Sequence, residues 1–328
     1  MIQLSFHTYV LNPIASLNSV SAGAPREGAL FQVKWADGHI GYADLHPWTE
    51  LGDEALEKQI AEARQGRISS QLAQTIELAR RDAVLRKEGK SIQVGGEQVR
   101  NNFLVTQVDQ ITVAFLNHIK HQGFTTIKIK VGRDLVKEKS AIQTLAAHGF
   151  KIRLDFNGTG SLQTFKDFMM DLNTQELAAI EYVEDPCPFD ESAWADAQKL
   201  VKIALDAPYD KVNWAQLTKP CFDVLIVKPA KMNFEQALER CQKFNLKATV
   251  TSYMDHPVGV MHALNIAMES KKKYPETMLE AGCLTHLQYQ ANVFSEEMKT
   301  EGPYLLAAPG TGIGFNNLLE ALPWQLIS

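Results

Sequence analysis

Two lysines that alternate along one short apolar run are the most informative feature of this 328-residue chain. Residues 126–131 predict a β-strand, in which side chains alternate between faces, so Lys128 and Lys130 point the same way. If that face is buried, each ammonium group lowers the pKa of the other. A lysine in such an environment can act as a base near neutral pH.

Further charged residues follow the next apolar runs. Asp155, Glu184, Asp206 and Lys228 each stand at the C-terminal end of such a run, at intervals of about one strand-helix unit. Any one of them has a structural explanation, such as a turn at Glu184 or a buried ion pair between Asp206 and Lys228. Together with the lysine pair they make five such positions in succession. A series of this length is much harder to explain structurally, and it favours a catalytic site.

Composition excludes several classes of function. A formal net charge of −5 argues against a nucleic-acid-binding protein, which would need a basic face. The four cysteines are far apart, so reduced thiols are expected rather than a disulfide framework or a zinc site. No run approaches the roughly 18 apolar residues of a membrane helix, and no signal peptide is evident. We expect a cytoplasmic protein with a small-molecule ligand.

Residues 1–98 predict an α+β capping domain. It contains a long predicted loop over 12–28 that is rich in Ser, Asn, Ala, Pro and Gly. Its other predicted elements are a hairpin with strands at 31–35 and 40–43 and helices over 53–63 and 69–88. We expect residues 300–328 to return to this domain.

Residues 99–299 predict alternating strands and helices. Eight such units in the α/β class indicate a (β/α)7β-type TIM barrel rather than an open sheet, and they place the chemistry at the C-terminal strand ends. The charged residues described above fall at those ends. The predicted strands are 102–105, 126–131, 151–156, 179–184, 202–206, 224–228, 247–251 and 277–283.

Three carboxylates at neighbouring strand ends predict a metal site. Asp155, Glu184 and Asp206 end consecutive strands about 5 Å apart, so their side chains converge and would repel one another without a cation. Oxygen ligands of this kind suit Mg²⁺ or Mn²⁺. No histidine falls at a matching position, which disfavours zinc.

The lysines flank this predicted metal site on two sides. Lys128 and Lys130 precede the carboxylates along the chain and Lys228 follows them. A carboxylate substrate on the metal would therefore meet lysines on opposite faces. This is the arrangement needed to remove a proton α to a carboxylate, with the metal stabilising the enediolate and a lysine taking the proton.

The order Lys-x-Lys, Asp, Glu, Asp, Lys resembles the muconate-lactonising branch of the enolase superfamily, and within it the o-succinylbenzoate synthase family. The similarity covers nearly the whole chain, and the matching segments are 127–132, 153–157, 183–186, 204–206 and 227–229. It implies a carbon–oxygen lyase of menaquinone biosynthesis. Such an enzyme dehydrates 2-succinyl-6-hydroxy-2,4-cyclohexadiene-1-carboxylate to 2-succinylbenzoate.

The resemblance also implies a role for each strand-end residue. Asp155, Glu184 and Asp206 would ligate Mg²⁺. Lys130 would take the α-proton and then act as the acid that helps the hydroxyl leave. Lys128 would steady the enolate charge and hold down the pKa of its partner.

Four further residues complete the predicted site. Lys228 would face the opposite side of the substrate and stabilise the intermediate. Arg153 and Asn157 share the inward face of their strand and are candidates for contacts with the substrate or for support of the residues that hold the metal. Ser252, after the seventh strand, is a candidate donor to a substrate carboxylate.

The sequence departs from the family pattern at three places. Ala207 follows Asp206 where the family usually has Glu, which removes a carboxylate that would orient this ligand. Asp185 follows Glu184 where Glu or Gln is common. Residues 282–285 lack the Asp-x-Asp pair with which dipeptide epimerases hold a substrate ammonium, which disfavours that activity.

Three other functions remain open on the sequence. An isomerase of the same superfamily, such as an N-succinylamino acid racemase, would use Lys130 and Lys228 as opposed bases. A Schiff-base aldolase would use one lysine and no metal, although the three carboxylates argue against it. A barrel that only binds its ligand is the third. Specificity is expected to lie in the loop 12–28 and in residues 252–254, and the oligomeric state is not predicted.

Overall fold

The computed structural model describes residues 2–17, 23–92 and 97–327. Its N-terminal part is an antiparallel sheet with two helices packed against it. The elements are β1 (Ile2–Leu11), β2 (Arg26–Trp35), β3 (Ile40–Leu45), α1 (Leu56–Arg64) and α2 (Ser70–Lys87). The predicted hairpin is confirmed, since β2 pairs with β3 around a turn in which Gly38 has a φ of 85°. The predicted loop 12–28 is shorter than expected because β2 begins at Arg26, and its residues 18–22 lie outside the described residues.

Seven parallel strands form the barrel sheet, in the order in which they occur along the chain. They confirm the predicted α/β barrel class and seven of its eight predicted strands. The strands are β4 (Phe103–Val105), β5 (Thr126–Lys130), β6 (Lys151–Asp155), β7 (Ile180–Glu184), β8 (Ile203–Leu205), β9 (Val224–Val227) and β10 (Lys247–Val250).

Helices connect most of these strands and cover the outside of the barrel. They are α3 (Val113–His121), α4 (Leu135–Ala147), α5 (Leu162–Met170), α6 (Thr174–Ala179), α7 (Glu191–Gln198), α8 (Phe234–Phe244) and α9 (Pro257–Lys273). Between β8 and β9 the described chain has only the 3-10 turn Ala207–Lys211. None of the helices within the described ranges is both long and apolar enough to cross a membrane.

The predicted eighth strand, 277–283, is wrong as a continuous strand. The segment makes isolated parallel bridges instead, from Met278 to Ala248 and from Ala281 to Asn101. Its hydrogen bonds go in turn to the neighbours on its two sides, so neither side forms an unbroken ladder. The segment nevertheless closes the gap between the first and last barrel strands.

The first C-terminal elements contact the barrel and the last ones contact the cap. Helix α10 (Val293–Glu297) precedes the two short strands β11 (Thr300–Glu301) and β12 (Tyr304–Leu305), which stay at the barrel because the Pro303 carbonyl accepts from Asn101 N. Helix α11 (Asn316–Glu320) lies near α2, and β13 (Gln325–Leu326) pairs with β1. The final strand therefore joins the cap sheet.

The cap and the barrel share one core. Leu30, Val33 and Leu78 of the cap belong to the same apolar cluster as the layer between the barrel strands and their outer helices. A second cluster, around Phe31 and Leu72, lies within the cap. Burial of the shared apolar surface holds the cap on the barrel. The cap residues that follow β3 are thereby fixed beside the mouth of the barrel.

Candidate active site

Strand register brings the predicted residues into one row. Lys130 is paired across the sheet with Asp155, and Asp155 with Glu184. Asp206 and Lys228 follow directly after β8 and β9, at the same end of the barrel. Eight of the nine predicted site residues border one cavity, which encloses about 1280 Å³ including its open mouth: Lys128, Lys130, Asp155, Asn157, Glu184, Asp206, Lys228 and Ser252.

Lysines and carboxylates pair directly in this cavity. We call these six residues the strand-end cluster: Lys128, Lys130, Asp155, Glu184, Asp206 and Lys228. Asp155 Oδ2 lies 2.5 Å from Lys130 Nζ and 2.9 Å from Lys128 Nζ. Lys128 also bonds to Glu184, and Lys228 Nζ lies 2.6 Å from Asp206 Oδ2. Each carboxylate of the cluster thus has a lysine as its counter-charge.

The two lysines of β5 differ in their electrostatics. Burial lowers the pKa of Lys130 and the nearby Lys128 ammonium adds to this, although Asp155 opposes both. Burial also acts to lower the pKa of Lys128, but Asp155 and Glu184 outweigh it and raise that pKa. The predicted mutual lowering is therefore wrong for Lys128, because two carboxylates hold its charge. Lys130 is the lysine better suited to act as a base.

In the described part of the chain, Glu184 is the carboxylate of the cluster that has an unpaired buried oxygen. Burial raises its pKa to about 7, and the charges of Asp155 and Asp206 contribute to that rise. Its Oε1 is buried and has no hydrogen-bond partner among the described residues. A buried acceptor without a partner costs about 1–3 kcal/mol, and a bound cation would remove that cost.

The donor set fits a hard divalent cation, although the residues do not form a coordination shell as they stand. Among the described residues, no three His, Cys, Asp or Glu side chains are arranged to hold a metal ion. The carboxylates face lysines instead. Three oxygen ligands on adjacent strand ends and the unpartnered Oε1 of Glu184 match what Mg²⁺ or Mn²⁺ accepts. Asp155, Glu184 and Asp206 are the residues that would hold it.

Asp185 links two of the departures from the family pattern. It is buried and has a φ of 44°. Its Oδ1 accepts from the backbone N–H of Asp206 at 3.0 Å, and its Oδ2 accepts from that of Ala207 at 2.9 Å. Asp185 therefore orients the strand end that carries Asp206, where Ala207 offers no carboxylate of its own.

Asn157 and Ser252 both border the cavity. Asn157 Oδ1 accepts from Lys130 Nζ at 3.2 Å, while its backbone N–H donates to Asp155 Oδ1 at 3.1 Å. Its φ of 52° is a left-handed conformation that asparagine tolerates well. The Ser252 hydroxyl lies 2.6 Å from the Thr285 hydroxyl. Their contacts with substrate stay predictions.

Arg153 requires a correction, because it does not border the cavity. Its side chain is fully buried, with Nε 2.7 Å from Glu181 Oε2 and Nη1 2.9 Å from both Asn102 Oδ1 and the Glu280 carbonyl. Arg153 shares a strand face with Asp155 but stands two residues deeper in the barrel. It supports the floor beneath the site and is too deep to be a substrate contact.

The sequence reasoning missed several residues at the cavity. Lys231 borders it three residues after Lys228, and this short distance from a strand-end lysine is the signal that could have found it. Trp48 reaches it from the cap without any signal in the sequence, whereas Leu17 lies within the predicted specificity loop 12–28.

Comparison with protein families matches both parts of the chain. Residues 4–85 match the model described as O-succinylbenzoate synthase, N-terminal domain. Residues 112–319 match the model described as Enolase C-terminal domain-like. Among curated proteins, an o-succinylbenzoate synthase of Bdellovibrio bacteriovorus is 52% identical over 324 residues, covering 99% of this chain and 98% of its own.

Solved structures show the same fold at low sequence identity. A dipeptide epimerase from Cytophaga hutchinsonii, complexed with Mg and a dipeptide, matches with a TM-score of 0.76 and 16% identity over 100% of both chains. The L-Ala-D/L-Glu epimerase from Bacillus subtilis matches with a TM-score of 0.72 and 17% identity, covering 95% of this chain and 97% of its own. At these identities the likeness concerns the fold alone.

Proposed function

The chain belongs to the o-succinylbenzoate synthase family of the enolase superfamily, and from this membership we propose its reaction. It dehydrates 2-succinyl-6-hydroxy-2,4-cyclohexadiene-1-carboxylate to 2-succinylbenzoate with Mg²⁺ as cofactor. The reaction is a step of menaquinone biosynthesis.

The environment of Lys130 is the observation that carries this proposal. Its ammonium is buried, its pKa is lowered, and it lies between Asp155 and Asn157 at the end of β5. In its neutral form Lys130 takes the proton from the carbon α to the substrate carboxylate. The same group, now an ammonium, returns that proton to the departing hydroxyl on the same face, so the products are water and the aromatic acid.

A divalent cation held by Asp155, Glu184 and Asp206 would supply electrostatic stabilisation of the negative charge that develops on the substrate carboxylate. Lys128 contributes a fixed positive charge on the Lys130 side, since its pKa is raised by Asp155 and Glu184 despite its burial. That charge also disfavours protonation of Lys130 in the resting site.

Lys228 provides the counter-charge on the other side of the cavity. Burial acts to lower its pKa, but Asp206 reverses this and raises it, so the group stays an ammonium. Its Nζ lies 5.4 Å from the centre of the Tyr253 ring. A two-base racemase also holds one of its lysines as an ammonium, so the charge of Lys228 is compatible with both reactions and the assay below separates them.

On the same basis we propose that the protein is cytoplasmic. All four cysteines are buried free thiols, as expected in a reducing cytoplasm. The substrate is a small carboxylate.

An absorbance assay tests the proposed reaction. We expect the purified protein to consume the diene with Mg²⁺ present, to lose that activity in EDTA and to regain it when Mg²⁺ is restored. Solvent deuterium exchange at the α-carbon of both enantiomers of an N-succinylamino acid, without loss of the diene, would instead identify a racemase.

A further inference from the structure

The cavity contains a fourth lysine outside the strand-end cluster. Lys231 Nζ lies 3.3 Å from the Tyr253 hydroxyl and 3.3 Å from Asp53 Oδ1. Its side chain is 23% exposed, and it borders the same cavity as the catalytic candidates. The three other lysines have strand-end carboxylates as partners, whereas the partner of Lys231 comes from the cap.

Asp53 is held firmly where it meets Lys231. Its Oδ2 accepts from the backbone N–H of Trp48 at 2.9 Å and from the Tyr253 hydroxyl at 3.0 Å. Gln71 Nε2 approaches the same oxygen at 3.4 Å. These bonds keep Asp53 in place independently of Lys231, so the ammonium group is positioned in advance.

We propose that Lys231 binds the second carboxylate of the substrate, at the end of its succinyl chain. The inference rests on the proposed function, in which the substrate carries two carboxylates. The reacting carboxylate must lie at the strand-end cluster, because the proton is removed from the carbon next to it. The second carboxylate then needs a cation elsewhere, and Lys231 is the other positively charged residue that borders the cavity among the described residues.

The hydrogen-bonding capacity of Lys231 allows such a ligand. An ammonium group has three N–H donors. Tyr253 accepts from one of them, and Asp53 contributes an ion pair at 3.3 Å. Donor capacity therefore remains for a carboxylate oxygen. Lys228 and Lys231 lie 5.4 and 5.3 Å from the centre of the same Tyr253 ring, so the two anionic ends of one small molecule can be held beside one aromatic side chain.

The alternative role for Lys231 is structural, as an ion pair that ties the cap to the barrel. Two variants separate these roles. If the pair only joins the domains, K231Q and D53N weaken ligand binding alike. If Lys231 anchors the substrate, K231Q weakens binding much more than D53N does, because D53N retains the ammonium group that meets the carboxylate.

Calorimetric titration provides the test. The probes are 2-succinylbenzoate and 2-butyrylbenzoate, which lacks the terminal carboxylate, added to the Mg²⁺-loaded wild type, K231Q, K231R and D53N. K231Q should bind 2-succinylbenzoate about 10- to 100-fold more weakly and 2-butyrylbenzoate nearly unchanged. K231R should restore most of the preference for 2-succinylbenzoate over 2-butyrylbenzoate. Substitution of the exposed Lys211 by Gln should change the affinity for neither compound.

The outcomes distinguish this proposal from the proposed function. Equal weakening of both compounds in K231Q, or an unchanged preference for 2-succinylbenzoate, would overturn the role of Lys231 while the wild type still dehydrates its substrate. A wild-type protein that binds neither compound would overturn the proposed function together with this inference. Melting temperatures of all variants show whether a loss of binding reflects a loss of fold.

Discussion

Lys130 and Asp155 lie opposite each other on adjacent parallel strands, and Nζ of the lysine is 2.5 Å from Oδ2 of the aspartate. The carboxylate that we expect to ligate a metal is thus the one that holds the proposed base. Metal and ammonium compete for this carboxylate, so metal binding and the state of Lys130 are coupled. Mutations at these residues, and at those that support them, should therefore change metal binding, stability or kcat.

Mg²⁺ should stabilise the protein. A ligand at 100 times its dissociation constant adds about 2.7 kcal/mol, which raises the melting temperature by several degrees. Asp155→Asn should abolish the increase, because it removes a charged ligand. Asp171→Asn, at a side chain that is 72% exposed, is the matched control and should behave as the wild type. An equal increase in Asp155→Asn would place the metal elsewhere.

Asp185→Ala should weaken metal binding about 10- to 100-fold without abolishing it, because the backbone N–H groups of Asp206 and Ala207 lose their common acceptor. Asp185→Asn keeps one oxygen acceptor and should have a smaller effect. Mn²⁺ binding followed by electron paramagnetic resonance measures both. Unchanged affinity in Asp185→Ala would show that Asp206 is oriented by other groups.

Asp255→Asn should stabilise the protein, and more so at higher pH. Asp255 is buried, and its Oδ1 has no hydrogen-bond partner among the described residues. Burial raises its pKa to about 7, against about 3.8 in the unfolded chain, so between these values only the folded state holds the proton. Stability from this group is therefore lost as the pH rises from 4 to 7, by roughly 2–4 kcal/mol.

Urea unfolding at pH 4.5 and pH 8 measures this effect. The variant should be close to the wild type at pH 4.5 and clearly more stable at pH 8. A difference that is equal at both values, or larger at the acidic one, would mean that Asp255 is ionised in the folded protein at low pH.

Glu138→Ala should destabilise the fold by about 2–4 kcal/mol. The buried carboxylate of Glu138 accepts from the backbone N–H groups of Gly132 and Arg133 at 2.8 Å and of Asp134 at 3.0 Å. These residues form the turn after Lys130, so kcat should fall as well. Glu138→Gln retains one acceptor oxygen and should lie between the wild type and Glu138→Ala in chemical unfolding. A change below about 0.5 kcal/mol in Glu138→Ala would show that the turn is stable without these bonds.

Local periodicity predicted the placement of the strand-end residues because the position of each depends on its own strand. Lys130, Asp155 and Glu184 sit where the alternation of a strand meets the open end of a barrel. Arg153 fits the same pattern, yet alternation reports only the face and not the depth within the barrel. The segment 277–283 has strand-like composition, but its pairing depends on two distant neighbours.

The contacts between the cap and the barrel lay beyond sequence reasoning. Asp53 meets Lys231 and Tyr253 only because the shared apolar core places the cap beside the barrel mouth. The carboxylate of Asp185 likewise reaches Ala207 across neighbouring strand ends. It does so from a left-handed backbone conformation that no sequence pattern predicts. Such contacts depend on the packing of whole elements.

The rate of diene dehydration by Lys130→Ala, measured at saturating Mg²⁺, tests the central claim most directly. We predict a fall in kcat of about a hundredfold to ten-thousandfold, with the Mg²⁺-dependent rise in melting temperature preserved, because the proton acceptor is lost while the metal ligands remain. A variant that dehydrates the substrate within tenfold of the wild-type rate would contradict the assignment of Lys130 as the base.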